Sequence, residues 1–136
     1  MLIYQLLKYV HILGASILLG TGAGIAFFML LAHRTRDPVV IAGVARIVVI
    51  ADYLFTASAV VLQPITGALL IWWVGYSPFE GWIVFSILLY IVTGAFWVPV
   101  VFMQLRMHDL AVAAADFGEP LPPEYHTIFR RWFAFG

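Results

Sequence analysis

Three stretches of the chain, residues 9–33, 53–79 and 81–105, contain no Asp, Glu, Lys or Arg. Each is long enough for a spanning helix, which needs about 20 mostly apolar residues. Val and Ile are plentiful, but the runs are too long for transmembrane strands and lack the period-two alternation of a barrel. The pattern predicts an all-α transmembrane helical bundle with three spanning helices, at residues 4–32, 49–73 and 82–106. A polar segment follows over 107–131. In it Leu110 to Asp116 extends the third helix, and Gly118, Pro120, Pro122 and Pro123 end it. From Trp132 to Gly136 the chain turns apolar again, as at the first turn of a fourth helix.

Three spanning helices leave the termini on opposite sides and one bundle face uncovered. The expectation is that the sequence is cut off after Gly136, or that a second copy or a larger membrane complex covers that face.

Composition agrees with the pattern. The 136 residues are 64% hydrophobic and only 10% charged, with a mean hydropathy of +1.02, whereas a soluble domain is about a quarter charged. This is one small membrane domain whose main partner is the lipid bilayer. Net charge is zero, which gives no basic footprint for nucleic acid. The absence of cysteine excludes disulfides, thiolate zinc sites, iron–sulfur clusters and thiol catalysis. The N-terminal apolar run exceeds the roughly 7–15 residues of a signal-peptide core, so it is read as a spanning helix.

Charge placement sets an expected orientation. Arg34, Arg36, Arg46, Arg106, Arg130 and Arg131 share one side, and the connection from Gly75 to Gly81 has no Lys or Arg. The positive-inside rule makes the arginine side cytoplasmic and puts the N-terminus outside. Trp72, Trp73, Tyr76 and Trp82 cluster at the opposite boundary, as amphipathic rings do at an interface.

Polar residues within the spans fall at helical spacing: Lys8, His11 and His33 with Gly22 and Met29 on the first, Asp52, Thr56, Gln63 and Thr66 on the second, Ser86, Tyr90, Thr93, Trp97, Gln104 and His108 on the third. Polar groups are costly in hydrocarbon and face the bundle interior. Thr and Ser here serve equally as packing glue, and Gly14, Gly20 and Gly24 offer close backbone approach, with 20 and 24 forming a GxxxG pair. Pro64 and Pro99 each free a carbonyl one turn earlier.

His11 stands out. An imidazole at this depth suits a haem iron, with Lys8 meeting an anionic group and Gln63, Thr66 and Tyr90 lining the pocket. The alternative is a histidine bonded across helices to Gln63 or Tyr90. At the other end Met29, His33, Met103, Met107 and His108 supply thioethers and imidazoles that suit copper, or simply pack. Asp52 either caps the second helix or pairs with His33 or Arg106 in a proton relay.

The strings LLKYVHILGASILLGTGAGIAFFMLLAHRTRDP, VVIADYLFTASAVVLQPITGALL and YIVTGAFWVPVVFMQLRM together resemble an uncharacterised bacterial family of integral membrane proteins, domain of unknown function 2269. That resemblance implies four helices, the last cut off here. The first helix, with Lys8, His11 and His33, is distantly similar to the membrane-bound protoporphyrinogen IX oxidase family, which binds haem b. A further likeness is to the copper-resistance D-type membrane proteins. The resemblance implies haem or porphyrin binding at His11 with redox activity, while copper handling and a non-catalytic accessory subunit stand as alternatives.

Overall fold

A computed structural model describes residues 1–136 as four helices without strands: α1 (Leu2–Thr35), α2 (Pro38–Val74), α3 (Gly81–Phe117) and α4 (Pro123–Phe135). The first three are long and apolar enough to cross a membrane. The fold class is the all-α bundle expected from the sequence.

The helix ends follow from local chemistry. Arg36, in the left-handed region at φ 58°, closes α1 by donating its N–H to the His33 carbonyl. Asp37 then accepts from the Val39 N–H at 2.9 Å, and Pro38 occupies the first helical position, where its missing N–H costs nothing. This capping starts α2 at Pro38 rather than near residue 49, so Arg46 lies inside the helix and Asp52 is not its cap. Hydropathy hides the early start because Asp37 and Arg46 interrupt the apolar run. At the far end of α3, Gly118 at φ 63° takes a conformation that costs a residue with a Cβ, and Glu119 N–H reaches back to Ala114 O at 2.9 Å. Pro122 and Pro123 then start α4, which is a full helix from 123 rather than a polar segment with one apolar turn at its end.

α2 is the central helix. Its first half packs on both α1 and α3, and its second half packs on α1. Between the two halves, residues Asp52 to Thr56 form one π-helical turn, closed by the Ala57 N–H to the Asp52 carbonyl. The irregularity in α2 therefore sits at 52–56. Pro64 lies inside the helix, and the Val60 carbonyl that it frees accepts the Tyr90 hydroxyl of α3.

At 37 residues each, α2 and α3 are about 55 Å long against a hydrocarbon layer of about 30 Å. Their excess length gathers at the arginine-bearing end, called here the basic end. There all four helices share one apolar core: Ile25, Met29 and Ala32 from α1, Ile41, Ala45 and Val48 from α2, Val100, Met107 and Ala111 from α3, Tyr125, Phe129 and Trp132 from α4. A hydrophobic core has a driving force only where water is the alternative, which is why it forms at this end. An exposed bidentate pair, Arg106 Nε to Glu124 Oε1 at 2.9 Å and Nη2 to Oε2 at 3.2 Å, ties α3 to α4 above it. Toward the opposite, aromatic end the helices show apolar surface suited to lipid, including Leu13, Phe85, Leu88 and Ile91.

Tyr125 is fully buried with its hydroxyl unpartnered, and burial pushes its pKa up to about 12. Tyr125→Phe removes an unsatisfied polar atom and is expected to leave stability unchanged or raised by up to about 1 kcal/mol near neutral pH. Because the folded pKa is raised, the tyrosine leaves stability independent of pH below about 10 and lowers it as pH climbs from there to about 12. The Phe variant should therefore resist alkaline unfolding between these values, as read by thermal melts in detergent across that range.

Candidate functional site

His11 lies on α1 near the aromatic end, half-buried. Its Nδ1 is 2.8 Å from Thr66 Oγ1 on α2. Thr66 is itself buried, and its hydroxyl lies 2.8 Å from the Leu62 carbonyl one turn earlier. With the hydroxyl proton on Leu62, the oxygen accepts from Nδ1–H and the Nε2 lone pair of His11 is left free. One turn along α2, the Gln63 side-chain amide donates to the His11 backbone carbonyl at 2.7 Å. Two contacts from α2 thus hold one residue of α1, by its ring and by its backbone.

This clamp requires two glycines. A Cβ on Gly14 would stand 2.5 Å from Gln63 Nε2, and one on Gly67 would stand 3.3 Å from His11 Cε1. Gly20 and Gly24 are not the close-approach pair: nothing lies near a Cβ at Gly20, and at Gly24 only Phe28 of the same helix comes within reach. The GxxxG spacing was legible in the sequence, but a glycine on each of two different helices is a pattern only the fold assembles.

The expected pocket residues separate into two groups. Gln63 and Tyr90 line a cavity of about 690 Å³ that runs between α1 and α3 and is closed at the basic end by Trp132, Phe133 and Gly136 of α4. Lys8, His11 and Thr66 do not line it. His11 shares a helix face with Ala15, Leu18 and Gly22, which do, so it stands one turn, about 6 Å along the axis, beyond the cavity's end. Lys8 is exposed on the same face, one further turn out. Gln63 joins the two regions.

At the basic end the thioethers and imidazoles are built into packing. Met29 and Met107 are wholly buried in the apolar core with Met103 against them. His33 lies flat on Phe129, with ring centroids 3.7 Å apart, and its Nδ1 has no partner. His108 bonds its neighbour Asp109 at 3.1 Å. No group of three or more His, Asp or Glu side chains comes together.

Asp52 departs furthest from its expected roles. It neither caps α2 nor meets His33 or Arg106. It sits in the π-helical turn, 5% exposed, against the cavity, and its contact is a long one, Trp97 Nε1 at 3.4 Å. Ser16, Ser58 and Ser86 by contrast return their hydroxyls to their own helix at 2.7–2.9 Å.

Residues 5–136 match the family described as "Predicted integral membrane protein (DUF2269)". The chain belongs to this family. It is an integral membrane protein with multiple spanning helices, as composition and helix length already require. No curated protein and no solved structure matches it.

Gly14→Ala should lower stability by about 1 kcal/mol, since the added methyl pushes the end of the Gln63 side chain off the His11 carbonyl. Gly20→Ala should stay within about 0.5 kcal/mol of wild type. Thermal unfolding of the two variants in the same detergent checks the contrast.

Proposed function

We propose that this DUF2269 member works in the bacterial inner membrane, N-terminus outside, and that His11 would hold the iron of a haem b or related porphyrin. The observation that supports this is the state of the His11 ring. Ligating histidines characteristically have their second nitrogen held by a hydrogen bond, which fixes the tautomer and the ring plane. Thr66 supplies that hold at Nδ1, and Gly67 lets the ring lie close against α2. Lys8, one turn away on the same face and exposed, is placed to meet a propionate. A bound haem would supply one-electron redox chemistry at this site.

The fit is good at that nitrogen and differs elsewhere from the sequence expectation. Gln63, Thr66 and Tyr90 spend their polar groups on His11, on α2 and on the Val60 carbonyl. They therefore orient the ligand residue and the helices rather than face a porphyrin. The same bonds serve the packing alternative equally, and the chromophore decides between the two. The copper alternative draws on Met29, His33, Met103, Met107 and His108, of which His33 alone keeps a buried unpartnered nitrogen. The accessory-subunit alternative draws on the exposed apolar faces of α1 and α3.

Protein purified from haem-replete cells is expected to show a Soret band, with α and β bands after dithionite reduction. His11→Ala should remove them, and Met103→Leu with Met107→Leu should not. A colourless wild-type protein refutes the haem assignment. The orientation has its own check in this cysteine-free chain. Ser77→Cys should react with an impermeant maleimide on spheroplasts, and Glu119→Cys only after lysis.

A further inference from the structure

We propose that the basic-end half of the cavity between α1 and α3 is a binding site for an organic cation, an ammonium-type head on an apolar body, with Asp52 as its counter-ion. This does not rest on haem binding, since Lys8, His11 and Thr66 lie outside the cavity wall.

Besides Gln104, 2% exposed and without a side-chain hydrogen bond, three polar side chains line this volume, each more than nine-tenths buried and short of partners. Asp52, 5% exposed, has the 3.4 Å contact with the Trp97 indole, longer than the usual 2.7–3.2 Å for an N–H donor to oxygen. Thr56, 6% exposed, has an unpartnered Oγ1, and Trp132, 3% exposed, has an unpartnered Nε1. All three line the cavity. Buried polar groups are almost always satisfied, and a carboxylate at membrane depth is costly unless paired. Three shortfalls around one open volume mark a polar pole arranged for an occupant.

The rest of the wall indicates its chemistry. The one ionisable acid in the lining is Asp52, and no Lys, Arg or His is present to compete for it. The indoles of Trp97 and Trp132 and the rings of Phe96, Phe133 and Tyr90 surround the same space, and aromatic faces attract cations most strongly where water is excluded. The cavity volume of about 690 Å³ falls in the range of small-molecule sites, roughly 300–1,000 Å³. The π-helical turn puts Asp52 and Thr56 side by side on the cavity wall, and such turns recur at functional sites.

The test uses two probes of the same shape and opposite charge, tetraphenylphosphonium and tetraphenylborate, with the purified full chain in detergent and equilibrium dialysis against a micelle blank. Saturable binding of the cation, at least tenfold tighter than of the anion, is expected. Asp52→Asn should abolish that preference while its elution profile and helical circular dichroism stay those of wild type. Asp52→Glu should keep the preference, and His11→Ala should leave cation affinity unchanged, which separates this site from the proposed haem ligand. Equal binding of both probes, no saturable binding of the cation, or a preference that survives in Asp52→Asn would each overturn the proposal. The wild-type comparison of the two probes is decisive even if the Asn variant fails to fold.

Discussion

Hydrocarbon offers no hydrogen-bond partners, and the arrangement of this bundle follows from where each polar group finds one inside the protein. The serines of α1, α2 and α3 return to carbonyls of their own helices. The carbonyl that Pro64 strips of its donor takes the Tyr90 hydroxyl from the facing helix. Gln63 and Thr66 grip His11 by its backbone and its ring. Individually such bonds contribute little in membranes, about 0.6 kcal/mol each. Their value here is positional, since they fix the rotation and register of α1 against the second half of α2.

The two ends of the molecule are consequently held by different physics. At the basic end, α2 and α3 run longer than a bilayer requires and α4 folds back onto them, so an apolar core of Met29, Ile41, Met107, Tyr125 and Phe129 gains from leaving water. At the aromatic end, apolar side chains gain nothing by leaving lipid for protein, and they point outward. What holds the helices there is the His11 clamp and the close approach that Gly14 and Gly67 permit. The cavity lies where these regimes meet, where α1 and α3 have no clamp between them.

Within that cavity the pattern of satisfied polar groups breaks. Asp52, Thr56 and Trp132 are buried as deeply as the residues of the clamp, yet they lack its bonds. His11 and Asp52 thus represent two distinct opportunities. One is a ring whose second nitrogen is fixed and whose first is free, and the other is a carboxylate facing an aromatic-lined space. They sit on neighbouring helices, at opposite ends of the region that Gln63 joins.

Much of this was legible in the sequence. Uninterrupted apolar runs determined three spanning helices, because the cost of charge in hydrocarbon leaves no other arrangement. Gly118 and the prolines after it marked the end of α3, and Pro64 announced a freed carbonyl. The spacing of His11 with Gly22 and Met29 ran close to the inward face of α1, whose buried residues are Gly14, Ile25, Met29 and Ala32. Other features depended on tertiary structure. Asp52 left the helix start for the interior. Thr66 rather than Gln63 or Tyr90 met the His11 ring, and Gly14 and Gly67 rather than Gly20 and Gly24 formed the close contact. Each of these depends on the rotation of one helix against another, and that rotation is set by contacts between residues about fifty positions apart, which no periodicity within a single helix encodes.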